Sequence, residues 1–115
     1  MPFLRFKGFP KETLKQLAPQ IVTDFAKMAQ VPEEKVKIEL LQVEPIIQSP
    51  RSLEILMFPR EKKVHDQLVA KLHQLLEEKG FSNTHIFFIL LSPSLYYKNG
   101  QPLENLSSPP FLHSY

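Results

Sequence analysis

Cysteine and tryptophan are absent from this chain of 115 residues, and glycine occurs only three times. Without cysteine, the chain cannot form disulfides, use a thiolate nucleophile or hold a zinc ion on thiolates. The longest apolar run covers only residues 86–91, far short of the ~20 residues of a membrane-spanning helix. The first residues also lack the basic segment and apolar run of a secretory leader. These absences predict a soluble cytoplasmic protein that does not associate with membranes.

The overall charge is close to neutral. Fourteen Lys and Arg residues against 12 Asp and Glu give a net charge of +2, which is too small to indicate nucleic-acid binding. A hydrophobic content of 43% with 23% charged residues is typical of a globular domain. We expect residues 1–103 to form a single domain and residues 104–115, which are rich in Ser and Pro, to form an extended tail.

Proline is abundant, with 11 in the chain, and two of them mark an internal repeat. Pro10 and Pro59 each stand in the pattern Phe-Pro-(Lys/Arg)-Glu, 49 residues apart. Leu4 and Leu53 share that offset, and the Leu-Leu pairs at 40–41 and 90–91 are offset by 50. A match that stays in register with its flanking strands indicates a duplication, with repeats at residues 2–43 and 51–92.

Each repeat has the pattern of a strand, a helix and a second strand. Strands are predicted at residues 2–7 and 36–40 of the first repeat and at 53–58 and 85–91 of the second. Apolar residues recur at helical spacing between them, and Pro19 is expected to kink or divide the first helix. The pair Asn99-Gly100 predicts a C-terminal hairpin within residues 93–103. Two β-α-β units predict an α+β fold, a two-layer sandwich whose four-stranded mixed sheet carries both helices on one face.

The other face of the predicted sheet has no helix to cover it. Half of the last strand would lie there, together with Arg5, Lys7, Lys37, Glu39, Glu54, Leu56 and Phe58. This face is too mixed for the core of a monomer and too apolar to be fully solvated, so we expect it to meet other subunits. A monomer with a partly exposed sheet is the alternative.

A duplicated β-α-β chain with a proline directly after the initiator Met resembles the tautomerase superfamily, which includes the macrophage migration inhibitory factor type and the oxalocrotonate tautomerases. The opening Met-Pro-Phe-Leu-Arg-Phe and the segment Leu-Ser-Pro-Ser-Leu-Tyr-Tyr-Lys-Asn-Gly-Gln at 91–101 resemble a bacterial family of tautomerase-like proteins without assigned function. The resemblance covers residues 2–101 and implies a homotrimer.

The resemblance also implies a mechanism. Once Met1 is removed, the amine of Pro2 would be the general base and acid that moves a proton on a small keto or enol carboxylic acid, without a cofactor. Burial and nearby cations would favour the neutral amine. While Met1 is attached, the nitrogen of Pro2 is an amide without basicity, and the alternative role of Pro2 is to open a strand.

Two cations near Pro2 are candidates for binding the substrate anion. Lys37 aligns with the strand arginine that holds the substrate carboxylate in the oxalocrotonate tautomerases, although a lysine lacks the bidentate fork. Arg5 shares the open face and could bind an anion or act on the Pro2 amine. Ion pairs with Glu39 or Glu54 are the alternative for both residues.

Three more residues are candidates with structural alternatives. Arg51 is the repeat equivalent of Pro2 and could reach a site between subunits, or serve only in the linker. His85 stands where the cytokine-type tautomerases carry a tyrosine, and could supply an acid or be structural. Tyr97, before the hairpin turn, could donate its hydroxyl to a substrate or pack in an interface.

The histidines give no indication of a metal site. His65 and His73 are eight residues apart on the second predicted helix, without the i,i+4 spacing and the Glu of a zinc helix. The charge run at residues 60–63 is interpreted as the solvated first turn of that helix.

The sequence therefore favours a tautomerase that binds a small carboxylate anion. The alternative is a non-enzymatic homotrimer that keeps the fold as a binding or scaffold module. A nucleic-acid-binding module is disfavoured, because Glu39 and Glu54 interrupt the basic residues of the open face.

Overall fold

Two β-α-β units build one sheet in the computed structural model, which describes residues 2–103. In chain order the elements are β1 (Phe3–Lys7), α1 (Lys11–Ala29), β2 (Lys37–Leu41), β3 (Arg51–Met57), α2 (Lys62–Glu77), β4 (Thr84–Leu90), β5 (Tyr97–Lys98) and β6 (Gln101–Pro102). Short 3₁₀ turns at Glu33–Lys35 and Pro93–Leu95 precede β2 and β5. The tail predicted at residues 104–115 lies outside the described residues.

The four main strands lie in the order β2-β1-β3-β4. Strands β1 and β2 are parallel, as are β3 and β4, and the two units join through the antiparallel pair β1–β3. A parallel pair needs a crossover, which α1 and α2 supply, and right-handed crossovers place both helices on one face of the sheet. The mixed four-stranded sheet with two helices, as predicted from the sequence, is confirmed.

The core lies between the sheet and the two helices. Successive strand residues point to opposite faces, and the helix-facing side chains of β1 and β3 are fully buried: Leu4, Phe6, Leu53 and Ile55. The helices add buried residues at helical spacing: Leu14, Leu17, Ile21 and Phe25 from α1, and Leu68, Leu72 and Leu76 from α2. Neither helix of the described chain is long and apolar enough to cross a membrane.

Helix α1 continues without a break from Lys11 to Ala29, although it contains Pro19. Of the two outcomes predicted for Pro19, division of the helix is therefore wrong. A proline inside a helix removes the hydrogen bond to the carbonyl four residues earlier, here that of Lys15. Both residues are exposed, so water can satisfy that carbonyl and the helix can continue.

The strand pairing refines the internal repeat. Phe3 of β1 pairs with Lys37, and its repeat equivalent Ser52 of β3 pairs with His85. Lys37 therefore corresponds to His85, which is 48 positions later rather than the 50 predicted from the Leu-Leu pairs. The pairing therefore shows which residues of the second repeat are equivalent to those of the first.

The open face of the sheet mixes charged and apolar side chains. Arg5 pairs with Glu39 on β2 and with Glu54 on β3, so their three side chains lie together on this face. On the edge strand β4, Phe87 and Ile89 are 44% and 41% exposed. Phe58, which was predicted to lie on this face, instead follows the end of β3 and is only 4% exposed.

The hairpin predicted from Asn99-Gly100 is present as β5 and β6. Tyr97 pairs with Pro102, and Lys98 pairs with Gln101. The φ angles of Asn99 and Gly100 are 55° and 78°, both in the left-handed region that a two-residue type I′ turn requires.

Candidate functional site

Pro2 lies at one end of the sheet, directly before β1, and its side chain is fully buried. Its carbonyl accepts a hydrogen bond of 3.0 Å from the backbone N–H of Lys37, the first residue of β2. This bond extends the parallel β1–β2 ladder by one step. The ladder therefore fixes the position of Pro2 relative to Lys37.

The ammonium group of Lys37 lies beside the ring of Phe3. Its Nζ is 5.1 Å from the ring centroid and donates a 3.3 Å hydrogen bond to the carbonyl of Lys35. Burial, followed by the charges of Lys35 and Lys98, lowers the pKa of Lys37. Lys98, the smallest of these contributions, belongs to β5 of the hairpin.

Arg5 is engaged by two carboxylates. Its Nε is 3.0 Å from Oε1 of Glu39, and its Nη1 is 3.8 Å from Oε1 of Glu54. The guanidinium also lies 5.6 Å from the centroid of the Phe3 ring. The ion pairs considered as the alternative for Arg5 are therefore present, and an incoming anion would compete with Glu39 and Glu54.

Tyr97 is carried to the Pro2 end of the sheet by the hairpin. The neighbouring ring of Tyr96 packs edge-on against Phe58, with 5.7 Å between the centroids, just beyond the end of β3. The carbonyl of Tyr96 also accepts a 2.7 Å hydrogen bond from the N–H of Leu103. Tyr96 therefore anchors the hairpin, whereas Tyr97 is 58% exposed and available for contact with a ligand or another subunit.

Arg51 and His85 lie at the opposite end of the sheet from Pro2. Because β3 is antiparallel to β1, its first residue lies beside the end of β1, and His85 comes with it on β4. At ~3.3 Å per strand residue, the two ends are roughly 20 Å apart within one chain. Arg51 and His85 line one open groove of about 670 Å³, together with Gly8, Ser49, Pro50, Ser82, Asn83 and Thr84.

The structure thus brings four of the six predicted site residues, Pro2, Arg5, Lys37 and Tyr97, to one half of the sheet or its adjoining hairpin. It does not bring Arg51 and His85 next to Pro2 within the same chain. Their predicted participation in a site between subunits stays a prediction. Within residues 2–103, no group of three or more His, Asp or Glu side chains is placed to hold a metal ion.

The family model described as a domain of unknown function, DUF1904, matches residues 1–102. The chain belongs to the DUF1904 family. A search of the curated proteins found no match.

Solved structures give this DUF1904 protein a wider set of neighbours. A protein of unknown function from Vibrio cholerae has a TM-score of 0.81 at 22% identity, over 88% of this chain and 86% of that chain. A DUF1904 domain from Sebaldella termitidis has a TM-score of 0.79 at 20% identity, over 87% and 97% of the two chains. A fused 4-OT asymmetric trimer has a TM-score of 0.76 at 14% identity, over 92% and 99%. These likenesses establish the fold and confirm the resemblance to the tautomerase superfamily, of which further members are among the neighbours.

The DUF1904 chain also contains a buried histidine, which the sequence pattern was used to assess only as a metal ligand. His65 is only 9% exposed, and its Nε2 accepts a 3.0 Å hydrogen bond from the N–H of Arg60, while its buried Nδ1 has no partner within residues 2–103. Burial, and then the charge of Arg60, lower its pKa. The signal was present in the sequence, because His65 continues the helical spacing of Leu68 and Leu72.

The prediction that residues 60–63 form the solvated first turn of the second helix is wrong for Arg60. It does not lie in a solvated first helical turn, because α2 begins only at Lys62. Its guanidinium instead donates to the carbonyls of Phe58 at 3.0 Å, Pro59 at 3.3 Å and Ala29 at 3.3 Å. Arg60 therefore ties the β3–α2 connection to the end of α1.

Proposed function

We propose that this protein is a cofactor-independent tautomerase that moves a proton between carbon and oxygen of a small keto or enol carboxylic acid. The observation that carries the proposal is the 3.0 Å hydrogen bond from the N–H of Lys37 to the carbonyl of Pro2. It holds the backbones of the candidate base, Pro2, and of the candidate anion-binding residue, Lys37, next to each other at the end of a sheet with the tautomerase fold.

Pro2 would act as the base after Met1 has been removed, since removal converts its amide nitrogen into a secondary amine. The proline ring is buried, and Lys37 and Lys98 bring positive charge towards this end of the sheet. Burial and neighbouring cations both disfavour the protonated form of an amine. A neutral amine can accept the substrate proton and return it at the other atom, which is general base and general acid catalysis by one group.

Lys37 would hold the substrate carboxylate, and the developing enolate would be stabilised by the same positive field. A lysine binds an anion as a point charge, without the two-point grip of an arginine. Lys98 on the hairpin would supply a second cation, and the hydroxyl of Tyr97 a hydrogen bond. Arg5 would position β2 through Glu39 until a substrate anion displaces that carboxylate.

A homotrimer is part of the proposal. The fused 4-OT neighbours with this fold are trimers. In the single chain, Phe87 and Ile89 on the open face of the sheet are 44% and 41% exposed. A trimer would cover these side chains.

The test combines intact mass with activity. The intact mass of protein purified from its own host is measured first, to determine whether Met1 has been removed. The protein is then assayed with phenylenolpyruvate and 2-hydroxymuconate by ultraviolet absorbance. We expect Pro2→Ala to lower kcat/KM by ~100-fold or more. Pro19→Ala is the matched control, because that exposed proline on α1 should leave activity unchanged. Retained Met1, or equal activity of wild type and Pro2→Ala, would refute the mechanism.

A non-enzymatic homotrimer that binds an anion or a partner is the second candidate. The observation that favours it is the engagement of Arg5 by Glu39 and Glu54, because this occupies one cation of the expected site. Light scattering that shows a trimer, together with no turnover of any keto or enol acid, would favour this candidate over the enzyme.

A further inference from the structure

We propose that the groove at the Arg51 end of the sheet binds a small oxyanion, a carboxylate or a phosphate, as a second site separate from Pro2. The inference does not depend on proton transfer at Pro2. It rests on three observations: the place of the groove in the repeat, the way Arg51 is held, and the chemistry of the residues around it.

The groove is the repeat equivalent of the Pro2 end. Phe3 follows Pro2 and pairs with Lys37, and in the second unit Ser52 follows Arg51 and pairs with His85. Arg51 therefore takes the place of Pro2, and His85 takes the place of Lys37. The duplication has produced two related ends of the sheet. One end carries a proline and a lysine, and the other carries an arginine and a histidine.

The guanidinium of Arg51 is held by neighbours that leave its terminal nitrogens unpaired. Its Nε donates a 3.4 Å hydrogen bond to the carbonyl of Gly8, and its Cζ lies 5.5 Å and 4.7 Å from the ring centroids of Phe9 and Phe81. Within residues 2–103, Nη1 and Nη2 have neither a hydrogen-bond acceptor nor a carboxylate partner. An arginine fixed against two aromatic rings has lost much of its conformational freedom before a ligand arrives, which favours binding.

The residues around Arg51 suit an anion. The groove is lined by the polar residues Ser49, Ser82, Asn83 and His85, and no acidic residue is among its lining within the described chain. Lys7 adds a further cation nearby, since its Nζ is 3.3 Å from Oγ of Ser49. The planar fork of an arginine matches the oxygens of a carboxylate or phosphate, and neutral donors beside it complete the coordination.

The experiment is an NMR titration of the full chain with inorganic phosphate and, separately, with malonate, at constant ionic strength set with sodium chloride. We expect saturable shifts of the backbone amides of residues 82–85 with at least one of the two anions. The tighter anion identifies whether the groove prefers a tetrahedral phosphate or a planar carboxylate. Saturation by neither anion would overturn the proposal.

Variants separate this site from the Pro2 end. Arg51→Gln should weaken binding at least tenfold and Arg51→Lys by less, because lysine keeps the charge but loses the fork. In Lys37→Gln and Pro2→Ala, the anion affinity reported by the backbone amides of residues 82–85 should equal that of wild type. Unchanged affinity in Arg51→Gln would overturn the proposal, as would an equal loss in Lys37→Gln, which would indicate one shared site between subunits.

A second variant covers the case in which Arg51→Gln does not fold, since Arg51 also contacts Phe9 and Phe81. His85→Gln alters the groove without touching those rings, and it should weaken anion binding severalfold while the dispersion of the amide spectrum stays that of wild type. Wild-type affinity in His85→Gln, together with a misfolded Arg51→Gln, would count against the site. If no tautomerase activity depends on Pro2, the result for anion binding at the Arg51 groove still stands, because the two experiments measure different ends of the sheet.

Discussion

Nε2 of His65 accepts a hydrogen bond from the backbone N–H of Arg60 over 3.0 Å, where β3 passes into α2. The guanidinium of the same arginine reaches the carbonyls of Phe58 and Ala29 at 3.0 and 3.3 Å. An imidazole can accept at Nε2 only while it is neutral, since both ring nitrogens of a charged histidine are donors. The connection between β3, α2 and the end of α1 therefore depends on an uncharged histidine.

This arrangement predicts that the protein loses stability as the pH falls below ~6.5, the ordinary pKa of histidine. Burial first, and then the charge of Arg60, lower the pKa of His65 in the folded protein; Lys62 acts in the same direction and Asp66 opposes it. The unfolded chain therefore takes up the proton first. The stabilisation is complete above the unfolded pKa and is lost as the pH falls towards the folded pKa, by at most ~1.4 kcal/mol per pH unit. Urea unfolding at pH 8 and pH 5 measures the loss.

His65→Gln should reduce this pH dependence, because glutamine keeps an acceptor for the Arg60 N–H but does not titrate. His73→Gln is the matched control, since His73 lies on the same helix with its Nε2 3.6 Å from Oε2 of Glu77, outside the core. The same pH dependence in wild type and His65→Gln would show that another group is responsible.

Gly8→Ala is expected to destabilise the protein more than Gly80→Ala. The two glycines have φ angles of +86° and +89°, in the left-handed region where a side chain costs ~1–2 kcal/mol. A Cβ on Gly8 would also lie 3.3 Å from Cα of Arg51, whereas nothing lies within 4 Å of a Cβ on Gly80. The difference between the unfolding free energies of the two variants measures this contact with the backbone of β3. Equal losses would mean that β3 moves aside without cost.

Ile55→Ala and Ile89→Ala form a matched pair for the two faces of the sheet. Ile55 is completely buried under the helices, so its truncation should cost ~2–5 kcal/mol of unfolding free energy. Ile89 is 41% exposed on the open face, so its truncation should cost the single chain much less. If the open face forms the proposed subunit contact, Ile89→Ala should instead shift the assembly towards monomer in light scattering. An unchanged assembly would argue against the participation of Ile89 in the contact.

Much of the fold was predictable because it depends on short-range patterns. The matching Phe-Pro segments before the two helices and the alternation of β1 define two β-α-β units, and Asn99-Gly100 defines the hairpin. The pairing of Lys37 with Phe3, and hence its place beside Pro2, follows from the same units. The uninterrupted α1 was not predictable, since the effect of Pro19 depends on whether water reaches the carbonyl of Lys15.

The remainder of the site depends on contacts between residues distant in sequence. A single strand pattern does not show that Arg51 lies against Phe9 and Phe81, because these rings belong to different units. The antiparallel joining of β1 and β3 places the starts of the two repeats at opposite ends of the sheet. Pro2 and Arg51 occupy equivalent positions in the two repeats, but they therefore lie far apart within one chain.

Lys98→Gln is expected to raise the pKa of Lys37 towards its ordinary value. Burial is the largest cause of the lowered pKa of Lys37, and the charges of Lys35 and Lys98 follow. Removing the charge of Lys98 makes protonation of Lys37 easier, but only in part, since burial and Lys35 remain. An NMR titration that follows the ε-carbon of Lys37 measures the change, and added salt should diminish it by screening.

Lys79→Gln is the control for this prediction, because Lys79 is exposed beyond α2 and is not among the charges that act on Lys37. It changes the net charge of the protein by the same amount as Lys98→Gln. An unchanged Lys37 pKa in Lys98→Gln would place the hairpin away from the Pro2 end of the sheet in solution. The proposed carboxylate-binding site at Pro2 would then lose its second cation. Substrate binding there would depend on Lys37 and on groups supplied by another subunit.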